Sequence, residues 1–206
     1  MINVEVEGRL LTLTLNRPEK ANSLTRLMLE ELDAAVAQAE MKGVRAIVIT
    51  GAGTVFSAGA DLEDARAGLA ADPVWERLSA RIASLPCLTI AALNGTLAGG
   101  AMGLTLACDI RLAVPSAKFF YPVMKLGFLP QPSDPRRMSA LIGPSRTKML
   151  LMGGQRIDAE EALRWGLVDR ITAPEALLTE ARTIATDAMN ASADHVAAIK
   201  RLVPQS

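Results

Sequence analysis

The chain has 206 residues, half of them apolar, and its 22 basic and 22 acidic side chains cancel at neutral pH. That length and apolar content suffice for one well-buried domain, while balanced charge and an aromatic content of 3% exclude a nucleic-acid binder working through a basic face or a stacking platform. Cys87 and Cys108 lie at the edges of apolar stretches in a chain with no secretory leader, so reduced, buried thiols in a cytoplasmic protein are expected.

In chain order, Ile2 to Val6 and Leu10 to Leu15 read as two short strands joined at Gly8-Arg9, with Leu11, Leu13 and Leu15 alternating with threonines. Ser23 is placed to cap a helix in which Leu24, Met28, Leu32, Val36 and Ala39 recur at helical spacing and which Gly43 closes. Val44 to Thr50 and Leu88 to Leu93 are apolar runs typical of strands buried on both faces. An interrupted helical region from Asp61 to about Leu85 separates them. A helix from about Gly99 and an alternating strand from Cys108 to Val114 follow, and strands separated by helices imply βαβ units. Pro122, Pro130, Pro132 and Pro135 make 119–135 a long ordered loop with no regular element. Helical patterns then cover 136–141, 145–152, 159–165, 174–189 and 193–203. Leu88 to Cys108 carries no Asp, Glu, Lys or Arg and is long enough to span a bilayer. Asn94-Gly95 in its middle is a turn signal, however, and the flanks show no charge asymmetry, so a strand, a turn and a buried helix are expected and no membrane span.

Two glycine-rich turns stand where buried strands hand over to helices: Phe56-Ser57-Ala58-Gly59-Ala60-Asp61 and Asn94-Gly95-Thr96-Leu97-Ala98-Gly99-Gly100. Glycine permits close backbone approach, and the first N–H groups of a helix have no internal partner. Such a pair of turns can aim two donors at one oxygen, as an enolate or a tetrahedral anion requires. Tight packing of strand on helix is the plainer use of the same glycines.

The chain resembles the crotonase superfamily, the enoyl-CoA hydratase/isomerase family. The matching stretches are Leu15 to Leu24, Phe56 to Leu62, Asn94 to Leu104, Ala107 to Arg111, and Gly153 to Ile171 with its Ala-Leu-Arg-Trp-Gly-Leu-Val-Asp core. The resemblance implies an α/β fold, a crotonase-like spiral of ββα units with a shortened helical C-terminal segment. Residues 1–190 would form the core domain and 191–206 the start of the C-terminal helices, without the family's lid helices. It implies an acyl-CoA thioester as ligand, coenzyme A entering only as part of the substrate, no other cofactor, no metal, and assembly as trimers or a dimer of trimers.

Carried over position by position, the family pattern puts the oxyanion donors at the N–H groups of Ala60 and Gly100. It seats the coenzyme on backbone around Lys20 and Ala21 and around Ala58, Asp61 and Leu62, with Lys20 and Arg17 near the phosphates. It also puts Gly103 and Val123 where hydratases of the family carry two glutamates, and neither can transfer a proton. Gln131 stands eight residues beyond, where other members draw a carboxylate. The nearest carboxylate in that loop is Asp134, a candidate acid–base group that is also well placed to cap the helix starting at Pro135; Tyr121 and Asp64 are further candidates, and Asp61 suits a helix N-cap. An enzyme of the family with non-standard enolate chemistry, such as double-bond isomerisation, is therefore expected. A catalytically silent acyl-CoA-binding or assembly protein is the alternative, and RNA binding, known for a few relatives, is disfavoured by charge and composition.

Other chemistries fail on residue content. The only histidine, His195, lies in the terminal helical pattern far from any candidate serine. One histidine and two distant cysteines make no metal set. Thr50-Gly51-Ala52-Gly53 lacks the third glycine of a dinucleotide fingerprint, since Phe56 stands there.

Overall fold

A computed structural model describes residues 1–41 and 43–203. The chain winds into a coil of ββα units, as expected. Strand β1 (Ile2–Glu7) pairs antiparallel with β2 (Leu10–Leu15), and helix α1 (Arg26–Met41) leads to β3 (Ala46–Gly51) and the short β4 (Val55–Ser57). Helices α2 (Leu62–Arg66) and α3 (Val74–Ser84) flank a 3-10 turn, Leu69–Ala71. The next unit is β5 (Leu88–Leu93), β6 (Thr96–Ala98) and α4 (Ala101–Leu106), and then come β7 (Ile110–Ala113), β8 (Lys118–Phe120) and α5 (Val123–Leu126). Helices α6 (Asp134–Ile142) and α7 (Pro144–Leu151), strand β9 (Ile157–Asp158), helix α8 (Ala159–Trp165), strand β10 (Arg170–Ile171), and helices α9 (Leu177–Asn190) and α10 (Ala193–Leu202) complete the described chain.

Each coil adds one strand to each of two sheets. The larger has the order β1-β2-β3-β5-β7-β10 and is parallel beyond β2; the smaller has the order β4-β6-β8-β9. Interior strands β2, β3 and β5 are buried on both faces, which is why they read as continuous apolar runs rather than as alternation. Met28, Leu32, Val36 and Ala39 of α1 are all buried, so the helical spacing identified the inward face.

Two expectations are corrected. Ser23 does not cap α1. Thr25 does, its Oγ1 accepting from Met28 N–H at 3.2 Å, because Leu24 is extended and bridges to Ala60. The segment 119–135 is not free of regular structure: Phe119 and Phe120 pair with Leu97 and Ala98 in the smaller sheet, and Pro122 opens the single helical turn of α5. Pro122 and Pro135 sit at the starts of α5 and α6, where their missing N–H costs nothing, and Pro130 and Pro132 lie in the irregular stretch between those helices. Leu88 to Cys108 resolves into β5, β6 and α4, and no helix among the described residues is long and apolar enough to cross a membrane. Cys87 and Cys108 are both buried and outside any disulfide, and burial pushes the Cys108 thiol up to about 12. Helix α10 opens the segment expected over 191–206, of which Pro204, Gln205 and Ser206 lie outside the described residues.

Candidate active site

The turn after β4 is fastened to the segment ahead of α1. Ala58 N–H donates to Ala21 O at 3.0 Å, Leu24 N–H to Gly59 O at 2.7 Å and Asp61 N–H to Leu24 O at 2.9 Å. Ser57 Oγ donates to Asn22 O at 2.8 Å. Ala21 and Asn22 both take left-handed backbone with φ of 50°, a conformation Asn tolerates better than most residues. The Asn22 side chain, fully buried, secures it: Oδ1 accepts from Arg17 N–H, and Nδ2 donates to Ala52 O and Val55 O. The two stretches expected to seat a coenzyme, Lys20-Ala21 and Ala58 to Leu62, thus lie side by side.

Asp61 is the N-cap of α2, accepting from Glu63 and Asp64 N–H, and pairs with Arg17 at 2.6 Å. The hydrogen bond from Arg17 holds its carboxyl below the usual range. Arg17 also donates to Ser23, so its guanidinium serves this junction rather than standing free for phosphate. Lys20 and Leu62 are exposed. Asp64 accepts from the N–H of Arg26 at the start of α1 and is tied up there.

The second turn joins β6 to α4 with no capping side chain. Gly99 has φ of 57° and donates to Phe120 O at 3.1 Å. The two turns meet backbone to backbone: a Cβ on Gly59, whose φ is 95°, would lie 2.9 Å from Ala98 O, and one on Gly99 would lie 3.5 Å from Gly59 Cα. The packing role of these glycines is therefore real. The N–H groups of Ala60 and Gly100 have no acceptor among the described residues, whereas those of Leu24, Asp61 and Gly99 beside them all do.

Gly103, on the same face of α4 as Gly100, meets the carboxyl group of Asp134. A Cβ there would stand 2.8 Å from Asp134 Oδ1 and 3.2 Å from Oδ2. Asp134 does not cap α6. It is the first residue of that helix, after Ser133, and turns its fully buried carboxyl towards α4. Tyr121 Oη donates to Oδ2 at 2.9 Å, while Oδ1 is buried without a partner. Burial raises the Asp134 pKa to about 7 against the opposing pull of Tyr121 and Arg137, and Glu76 adds to the rise. The carboxyl is thus poised between its acid and its carboxylate near neutral pH. Burial and the neighbouring Asp134 push the Tyr121 phenol far up, so it remains a donor. Gln131 N–H approaches Tyr121 Oη at 3.4 Å, and Ser133 N–H donates to Glu76 at 3.1 Å, fixing the loop that delivers Asp134. Val123, nearly buried, begins α5.

The sequence reading passed over Trp75, whose indole covers Gly100. One of only two tryptophans in a chain so poor in aromatics was the available signal. Among the described residues no group of three or more His, Cys, Asp or Glu is placed to hold a metal ion. A groove of about 830 Å³ lies at the other end of α4, walled by Leu106, Cys108, Arg137 and Ile199, and touches neither turn.

Residues 5–206 match the family model described as enoyl-CoA hydratase/isomerase. A probable enoyl-CoA hydratase, echA8, of Mycobacterium tuberculosis is 37% identical over 202 residues, covering 95% of this chain and 79% of the relative. A short-chain-enoyl-CoA hydratase of Clostridium acetobutylicum is 36% identical over 193 residues, covering 88% and 72%. The crystal structure of an enoyl-CoA hydratase from Bacillus anthracis superposes with a TM-score of 0.90 at 33% identity, covering 97% of this chain and 81% of that one.

Proposed function

Because the chain belongs to the enoyl-CoA hydratase/isomerase family, we propose that it binds an acyl-CoA thioester and catalyses proton transfer on its acyl group, with no separate cofactor. The Ala60 and Gly100 N–H groups accept the charge of the thioester enolate, and backbone around Lys20, Ala21, Ala58, Asp61 and Leu62 seats the coenzyme. The carboxyl of Asp134 carries the chemistry. It reaches α4 from α6 and takes the space that a side chain on Gly103 would fill, with Oδ1 unpartnered and its pKa near neutrality.

One carboxylate suits a double-bond shift. Asp134 takes a proton from the α-carbon of a β,γ-unsaturated thioester, the electron pair moves into a dienolate held by the two N–H groups, and the γ-carbon takes the proton back. The product is the α,β-unsaturated thioester; no water is consumed and no second acid is needed. Hydration in this family draws on two carboxylates, and Gly103 and Val123 supply none.

The complete burial of the Asp134 side chain favours a second reading, a binder without turnover. The assay that separates the two follows conversion of β,γ-enoyl thioesters to conjugated ones, beside hydration of crotonyl-CoA. Isomerisation is expected from the wild type, a loss of about 10²–10⁴-fold in kcat from Asp134→Asn with thioester binding retained, and hydration barely above background. Tight binding with no conversion, unaltered by Asp134→Asn, would establish the silent reading.

A further inference from the structure

The first turn of α6 is placed by α3 rather than by its own cap. Ser133 stands at the N-cap position, yet its hydroxyl bonds to no N–H of α6. It donates instead to Glu76 Oε1, and the Ser133 N–H donates to Oε2 of the same carboxylate at 3.1 Å. One turn further along, Arg137 Nη1 donates to Ser79 Oγ at 3.0 Å, and that hydroxyl donates to Glu76 O at 3.2 Å. Glu76 and Ser79, three residues apart, share a face of α3.

Two anchors fix more than the place of a helix end. The bonds at Ser133 set where the chain enters α6, and the bond at Arg137 sets the rotation of the helix about its axis. Asp134 lies between them, and its carboxyl faces α4, where a Cβ on Gly103 would stand 2.8 Å from Oδ1. A reacting group misplaced by about 1 Å can cost as much as 10²-fold in rate, so these anchors bear on turnover and not on folding alone.

On the reading that Asp134 moves the proton, we infer that Glu76 is a positioning residue for that transfer: through Ser133 it holds the carboxyl against the Gly103 face of α4. Its charge has a second consequence. The charged or titratable groups that face Asp134 are Tyr121 ahead of α5, Arg137 of α6 and Glu76 of α3, while α4 contributes none. Tyr121 and Arg137 favour the carboxylate; Glu76 sides with burial in favouring the acid. Removing the Glu76 charge therefore lets Asp134 ionise at lower pH, whereas removing its bonds lets the start of α6 shift.

The test is the pH dependence of β,γ-enoyl-CoA isomerisation by the wild type, Glu76→Gln and Glu76→Ala, with circular dichroism and thioester titration as controls. A glutamine still accepts from the Ser133 N–H through its amide oxygen and reaches the hydroxyl with its NH2 group. Glu76→Ala is expected to lower kcat by roughly 10- to 10²-fold with KM near the wild-type value. Glu76→Gln should recover most of that loss and move the acid limb of kcat/KM to lower pH by on the order of half a unit. Glu76→Ala can fail to fold; the pH profile of Glu76→Gln then decides alone. Wild-type turnover with an acid limb that Glu76→Gln leaves in place, or with a kcat that Glu76→Ala leaves intact, overturns the role of Glu76, as does a Glu76→Gln variant no faster than Glu76→Ala. No turnover by the wild type on thioesters that it binds overturns the isomerase reading itself, a separate and recognisable result with which the role of Glu76 also falls.

Discussion

The turns after β4 and β6 occupy equivalent places in successive coils, but the first is held by side chains and the second by their absence. Arg17, Asn22, Ser23 and Asp61 converge on the first turn, which opens a short, mainly exposed helix. The second has no capping side chain and runs into α4, every residue of which is buried. The side chains that pack on it arrive from elsewhere, Trp75 from α3 and Asp134 from α6, in space that Gly100 and Gly103 leave open. A junction made of several polar bonds can lose one of them. A junction made of missing side chains tolerates no addition, and it imposes its cost on whatever group fills the gap.

That cost is largest at Asp134. Its pKa is about 7 in the folded protein against an ordinary 3.8, so the folded state keeps a proton that the unfolded chain releases. Stability therefore falls as pH rises from about 4 to about 7, and the full penalty, on the order of 4 kcal/mol, applies above that window. Asp134→Asn cannot ionise and still accepts from Tyr121. It is expected to exceed the wild type in urea stability at pH 8 by up to about that amount, and to match it near pH 4. An advantage that did not grow with pH would mean that the carboxyl ionises normally and that the second turn imposes no such cost.

The contact between the turns gives an intermediate effect and tests both glycines at once. At Gly59, with φ of 95° and a backbone oxygen 2.9 Å from the added carbon, alanine is both strained and obstructed. At Gly99, with φ of 57° and the nearest atom at 3.5 Å, alanine meets only the left-handed backbone penalty. Thermal melts should show a loss of about 3 kcal/mol for Gly59→Ala and about 1 kcal/mol for Gly99→Ala. Equal losses would remove the steric account of the junction.

The smallest effect is expected where bonds are most numerous. Asp61→Ala removes the α2 cap and the partner of Arg17, and should cost about 1 kcal/mol of stability. A loss larger than that of Gly59→Ala would show that the polar junction, not the close approach, holds the turns together.

The sequence disclosed what is local. Buried strands β3 and β5, the inward face of α1 and both glycine turns follow from periodicity and from glycine placement. Strands β4, β6 and β8 did not, because two or three residues are too few for a period and are ordered only by pairing across coils. Ser23 was indistinguishable from Thr25 as a cap until the bridge of Leu24 to Ala60 delayed the helix. At the site, the resemblance implies that Gly103 and Val123 depart from the family pattern, but nothing local says that Asp134 turns away from its own helix end to lie against Gly103. Trp75 was hidden for the same reason, since its partner on α4 is remote in the chain.

The seam between α4 and α6 also sets an order of opening. Undocking α6 returns Asp134 to water and releases its ionisation penalty, so raising the pH from about 4 to about 7 favours that separation. Ser133 and Arg137, bonded to Glu76 and Ser79 of α3, hold the seam closed. At neutral pH the seam should open more readily than at about pH 4, as a partial opening that leaves both sheets intact, with the glycine turns still joined and the face of Gly103 bare.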